Sequence, residues 1–419
     1  MANRSLTKDV SDNIVAGAVI ANFFLNKRDR LLENHTDHDK VTFKGSNEIP
    51  LKIGDNWFFC DTDVNISTAT HMDTGSVANG KDYYVYACNN AGTLEFKISL
   101  NSTTPTGFTA ANSRKIGGFH TLCADVGTIS GHALSGYVAN DILPTSIWDL
   151  KHRPICEPEG MVYDEGTGIW VDIYLASGTG ASTASVYGAT ITDSRNWMDF
   201  VDDGHAVMKQ LLTDEQFTSI ATGAPEEAHV WNRSDPVTAG GHSAYFLLTL
   251  DVGPAVDWAA GDTITGGTSG VTCTVVECLT NTTYVCKNIS DAAGFTDGEV
   301  LSNGAESADQ GTGYPTWAAH AMGRNVSNIG CEDCVGAMHQ WLLTPSARLD
   351  DGTAGGWYDL AGGKGSFYTY GNNKYGNTQL RAGGDWDDGA YCGSRCRDAF
   401  FYRWVADSHV GARLGAKPQ

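Results

Sequence analysis

The segment that most restricts how this chain can fold is Ala382 to Leu414, AGGDWDDGAYCGSRCRDAFFYRWVADSHVGARL. It contains no Lys, Glu, Gln, Met, Asn, Thr, Ile or Pro, and its glycines interrupt any helical period. Between residues 381 and 410 there are six aromatic residues, twice the chain average of 10%, together with nine charged residues. Phe400-Phe401-Tyr402 would place aromatic rings on both faces of any strand, so at least one of them is expected at the surface. A mixture of Tyr, Trp and Arg with short polar residues is the composition of a binding surface, because it supplies rigid contact area and adaptable hydrogen bonds.

The restriction has a second aspect. Asp385, Asp387, Asp388, Tyr391, Asp398, Phe400, Phe401, Tyr402, Asp407, Ser408 and His409 are all residue types reachable from an AAC or AAT codon by replacing adenines alone. With Ile329 to Leu342, the tail resembles the C-type-lectin-fold variable proteins of diversity-generating retroelements, many of them phage tail or tail-fibre receptor-binding proteins. The resemblance is carried by Gly383-Gly384-Asp385-Trp386, Cys392-Gly393-Ser394-Arg395, Arg403-Trp404 and Gly411-Ala412-Arg413, and upstream by Lys115 to His120 and Trp148 to Pro154. It covers roughly residues 110–250 and 316–419.

The resemblance implies a fixed frame, with Trp386, Arg395, Arg403, Trp404 and Arg413 as scaffold. It implies a varied ligand-binding set: Asp385, Asp387, Asp388, Tyr391, Asp398, Phe400, Phe401, Tyr402, Asp407 and His409. The implied function is recognition of a macromolecular ligand, a cell-surface protein or glycan, by a tail component of a virion made in the host cytoplasm. Related receptor-binding proteins often trimerise, so a homo-oligomer is implied too. Formylglycine-generating enzymes share the fold class, and Cys392 and Cys396 loosely resemble their paired cysteines, but the gap between them is shorter; no enzymatic activity is expected.

Length and composition agree with a multidomain globular chain. The 419 residues exceed what one core organises, and 41% hydrophobic against 18% charged residues leaves ample apolar material to bury. A net charge of −21 repels phosphate backbones and anionic lipid, so nucleic acid is excluded as a partner. Ile14 to Leu25 is too short to span a bilayer and reads as an amphipathic helix, so no membrane insertion is expected. Eleven cysteines, an odd number at low density, suit a reducing compartment during folding.

The expected fold class is α+β: residues 1–115 as an N-terminal helix and β module, 116–250 with 316–419 as a C-type-lectin-like domain, and 251–315 as a small inserted β module. Alternating aromatic runs at Trp57 to Cys60, Tyr83 to Cys88 and Leu94 to Ile98 carry the first assignment. Trp197, Val201, Met208, Leu211 and Leu212 share a helical face weakened by Gly204, Thr213-x-x-Gln216 forms a capping box, and Glu332 to Leu342 reads as a helix through Cys334, Met338, Trp341 and Leu342. Cys331-x-x-Cys334 has the spacing of half a zinc site, and His35-Thr36-Asp37-His38-Asp39 is dense in potential ligands, yet buried thiols and a solvated connection explain them more simply. No cofactor or metal is assigned, and no GxGxxG, GxxxxGK[ST], HExxH or GxSxG motif occurs in a supporting context.

Overall fold

A computed structural model describes residues 30–47, 50–230, 232–308, 315–320, 323–348, 356–359, 363–369 and 376–419. The expected helix Ile14 to Leu25 lies outside them.

The first module is built from the aromatic runs. Asp82–Asn90 forms the centre of an antiparallel sheet, flanked by Thr93–Ser99 on one side and by Ser113–His120 on the other, with Trp148–Asp149 at the edge. Its alternating side chains, among them Tyr83, Val85 and Ala87, pack on Phe43, Phe96, Phe119 and Ile147 in one core. The boundary expected after residue 115 falls inside the strand Ser113–His120, and pairing continues to Asp149. Cross-strand hydrogen bonding, rather than the composition shift, sets this limit.

A second core joins this sheet to the next domain: Tyr84, Tyr86 and Trp148 meet Met161, Trp170 and Ala416. His152 sits in this junction, with Arg30 Nη2 2.7 Å from its Nε2 and its ring between Tyr163 and Trp170. Burial, reinforced by the Arg30 charge, pulls its pKa from 6.5 down to about 4.

The following domain is mostly β, and α-structure among the described residues is confined to the helices Trp197–Ala206 and Asp214–Ile220. This corrects the α+β expectation towards β. Both helices begin with reciprocal capping boxes, from Asn196 with Asp199 and from Thr213 with Gln216. The first helix stops at Ala206 rather than continuing through Leu212: Met208 adopts φ +59°, and Gln210–Leu211 pairs with the strand Leu414–Ala416. Leu414–Ala416 also pairs with Ile169–Asp172, tying the end of the tail to the domain's first strands.

Glu332 to Leu342 is not a helix. Cys331 to Met338 forms a buried turn, with Asp333 at φ +57°, and His339–Arg348 is a strand. Glu332 and Asp333 are 1% and 0% exposed, which a helix presenting one apolar face to the core would not permit. Arg324 Nη2 donates to both Glu332 carboxylate oxygens at 2.7 Å and Nη1 to the His242 carbonyl at 2.6 Å. Asp333 Oδ2 accepts from Gly240 N at 2.8 Å and lies 2.9 Å from His242 Nδ1. Arg413, also fully buried, donates to the carbonyls of Asp172 and Glu332 and to Gln340.

That cluster roots the inserted module. Asn325 N donates to the His242 carbonyl and Ala244 N to the Gly323 carbonyl, and the stem widens into a seven-stranded sheet with its own core around Trp258, Tyr284 and Phe246. Phe246–Thr249 and Thr316–Ala319, outside the expected span 251–315, pair with each other in this sheet.

Two outcomes are expected. Glu332→Ala leaves the Arg324 guanidinium buried and unpaired and should lower unfolding free energy in urea by about 3–5 kcal/mol, whereas the double substitution Arg324→Met with Glu332→Leu should cost far less. His152 stays neutral in the folded chain, so its contribution is complete above pH 6.5 and is lost as pH falls towards 4. The decline in melting temperature across that window should be shallower in His152→Gln.

Candidate functional site

The tail lies across a six-stranded sheet. In it, Gly376–Gly383 pairs with His339–Arg348 on one side and Gly393–Asp398 on the other, while Val410–Gly411 runs parallel to His339 and Gln340. The double glycine makes the tail's first turn. Gly383 and Gly384 have φ of +93° and +77°, and a Cβ on them would meet the Cys334 carbonyl oxygen at 2.5 Å and Cys392 Sγ at 2.7 Å.

The sheet and the loops above it enclose a cavity of about 300 Å³ lined by His339, Trp357, Tyr368, Arg381, Asp385, Asp388, Asp398, Phe400, Phe401, Asp407 and His409. Seven of the ten residues expected to vary line it. Its floor is the cross-strand pair Arg381 and Asp398, where Arg381 Nε donates to Asp398 Oδ2 at 3.1 Å and Nη2 donates to the same oxygen. The guanidinium stacks on Phe401, 3.8 Å from the ring centre, and its Nη1 lies 3.8 Å from Asp407 Oδ2. Phe400 meets Phe401 edge to face at 4.7 Å and Tyr368 at 5.9 Å.

Across the cavity, His339 Nε2 is 2.9 Å from Asp388 Oδ2 and 3.9 Å from Asp385 Oδ2. His409 Nδ1 is 2.9 Å from the same Asp385 oxygen, and its ring leans on Trp386 at 4.4 Å. Burial and the Arg381 charge oppose protonation of His339, but Asp388 and Asp385 outweigh them and raise its pKa above the ordinary value. Burial likewise opposes ionisation of Asp388, and His339 reverses the balance.

The remaining three predicted positions form the surroundings. Asp387 is exposed and ion-paired with Arg233, whose Nη1 also donates to the Ser290 carbonyl of the inserted module. Tyr391, 45% exposed, stacks on Trp357 at 4.9 Å. Tyr402 stacks on Trp404 at 4.7 Å. The ten residues therefore do not form one uniformly solvent-facing patch: Asp385 and Asp398 are 5% and 4% exposed and help hold the loops. The expected scaffold also divides. Arg413 is in the core, Trp386 packs on it, and Arg403 sits 5.1 Å over Trp197, but Trp404 is 62% exposed and Arg395 is exposed. Trp404 belongs with the surface, where Tyr402 stacks on one face of its ring.

Sequence reasoning missed Trp357, Tyr368 and Arg381 as contributors and placed His339 on a helix. Trp357 and Tyr368 lie well before the restricted segment, although Trp357-Tyr358 and Phe367-Tyr368 are aromatic runs of the kind that marks the tail, and Arg381 directly precedes it but owes its place to pairing with Asp398 across two strands.

Cys392 and Cys396 are fully buried, and burial pushes both thiols well above their ordinary value. A nucleophilic cysteine needs the opposite shift and access, so the formylglycine-generating alternative has no support here. Cys331 and Cys334 are buried as well, and among the described residues they do not gather with other ligands into a metal-sized group. A second cavity, about 350 Å³, opens between the first module and the lectin-like domain beside Glu159, Met208 and Lys209 and includes none of the tail.

Residues 33–149 match the family model "Mtd second domain". The tail fiber receptor-binding protein of Bordetella phage BPP-1 is 27% identical over 281 residues, 59% of this chain and 72% of that protein. The U1 variant of the Major Tropism Determinant superposes with a TM-score of 0.58 at 19% identity, covering 94% of this chain and 84% of that one. This chain has the C-type lectin fold of the Major Tropism Determinants. The M1 variant gives 0.57 at 21% identity over the same shares. The similarity first carried by the tail therefore extends to the module before it.

The buried and exposed members of the tail should separate in stability measurements. Asp398→Asn removes the charge of the buried carboxylate bonded to Arg381 and is expected to cost about 3 kcal/mol in urea unfolding, while Tyr391→Ser should stay within about 0.5 kcal/mol of the parent.

Proposed function

We propose that the chain is a tail-associated adhesin of a phage or prophage, and that the cavity with its aromatic rim binds a ligand on the host cell, a surface protein or a glycan. The observation that carries this reading is the convergence of seven positions of the restricted tail on one cavity, while Arg413 anchors the same tail in the core. The similarity to a tail fiber receptor-binding protein supports it.

In this reading Phe400, Phe401 and Tyr391 supply apolar anchor area, and Asp388, Asp407 and His409 supply polar contacts whose pattern sets specificity. Asp385 and Asp398 act mainly by holding the loops, and Asp387, Tyr402 and Trp404 extend the surface beyond the cavity. One such surface gives modest affinity, and a homo-oligomer, a trimer in the simplest case, multiplies it through effective concentration.

The test is adsorption of phage carrying altered tails to the natural host. Phe400→Ser with Tyr391→Ser should weaken adsorption at least about tenfold, equivalent to about 1.4 kcal/mol, with a small change in melting temperature. Unchanged adsorption would refute the assignment of the cavity.

A further inference from the structure

One wall of the cavity brings together two imidazoles and two carboxylates from three separate parts of the chain. His339 opens a strand of the sheet, Asp385 and Asp388 belong to the turn after the double glycine, and His409 precedes the strand Val410–Gly411. His339 Nε2 lies 2.9 Å from Asp388 Oδ2 and 3.9 Å from Asp385 Oδ2, and His409 Nδ1 lies 2.9 Å from that same Asp385 oxygen. The ligand atoms of His339, Asp385 and Asp388 all lie within 4.8 Å of one another, and His339 and Asp385 are buried.

Two carboxylate oxygens face the one imidazole nitrogen of His339, which can make a single hydrogen bond, and the Asp385 oxygen is shared with His409 Nδ1 at the cavity edge. The nearby guanidinium of Arg381 is already engaged with Asp398 and lies near Asp407.

We propose that His339, Asp385 and Asp388 bind a divalent transition-metal ion, with zinc the best fit and the fourth position facing the cavity. Bonds of about 2.0–2.2 Å in a tetrahedron set neighbouring ligand atoms about 3.3–3.6 Å apart, between the 2.9 and 3.9 Å that separate His339 Nε2 from the two carboxylate oxygens. An imidazole nitrogen with two carboxylate oxygens suits zinc, whereas calcium and magnesium take oxygen shells. The Asp385 carboxylate is oriented from behind, as ligating carboxylates are: its Oδ1 accepts from Asp387 N at 2.8 Å while Oδ2 faces His339. The cavity provides the route of entry. His339 lies outside the restricted tail and the two carboxylates inside it, so metal binding belongs to this particular tail sequence. Any contribution of the ion to ligand recognition rests on the adhesin reading; the binding of the ion does not.

The full chain is stripped with EDTA, dialysed and titrated with zinc in a calorimeter, and separately loaded with cobalt to record the visible absorption of a tetrahedral site. One ion per chain is expected, with binding weakened at least tenfold in His339→Gln and in Asp385→Asn and unchanged in His205→Gln, which removes an exposed histidine elsewhere. Asp388→Asn, at a half-buried position, carries the same expectation if His339→Gln does not fold. Absence of stoichiometric binding, or equal binding in the ligand variants, overturns the proposal. The titration involves no receptor, so a negative result leaves the adhesin reading standing, and failed adsorption leaves the metal site standing.

Discussion

The buried charges around Arg324 are the constraint on which the rest of this molecule depends. Arg324 with Glu332 and His242 with Asp333 remove two ion pairs from water, and Arg413 adds a third cation bonded to backbone carbonyls. Such groups are costly to desolvate and are tolerated only when nearly every donor and acceptor has a partner. The arrangement therefore admits little variation. It fixes the two strands of the stem from which the inserted module grows, the turn Cys331 to Met338, and the last strand of the tail. His339, at the mouth of that turn, and the sheet that carries Arg381 inherit their positions from it.

The tail shows how a loop can change its side chains without losing its shape. Asp385, Asp398 and Asp407 each accept a hydrogen bond from the backbone N–H two residues on, at Asp387, Phe400 and His409. Asn and Ser offer an acceptor in the same place, and all three residue types are reachable from the same adenine-rich codons. The loop-shaping role thus survives exchanges that alter charge. The Arg381–Asp398 pair is the exception, since its stability comes from opposite charges across adjacent strands.

Much of the architecture was legible in the linear chain where the signal is local. The capping box at Thr213 needs only four residues, and the strands around Tyr83 to Cys88 follow from alternation and aromatic content. The reading of Glu332 to Leu342 as a helix failed for a nonlocal reason. Cys334, Met338, Trp341 and Leu342 do recur at helical spacing, but the two acidic residues that open the segment are drawn inward by Arg324 and His242, and periodicity carries no record of those partners. The pairing of Phe246–Thr249 with Thr316–Ala319 is nonlocal in the same way, since the two strands meet only across the whole stretch between them.

The amino-acid order alone, through its missing residue types and consecutive aromatics, gives the tail the composition of a binding surface, and its short motifs resemble those of lectin-fold variable proteins, because composition and motif are properties no folding step alters. Which of its aspartates face solvent, which brace a loop, and which meet His339 was settled only when distant strands came together. Burial and pairing are relations between residues far apart in the chain, and they come into being with the sheet that puts Arg381 opposite Asp398 and His339 beside Asp385.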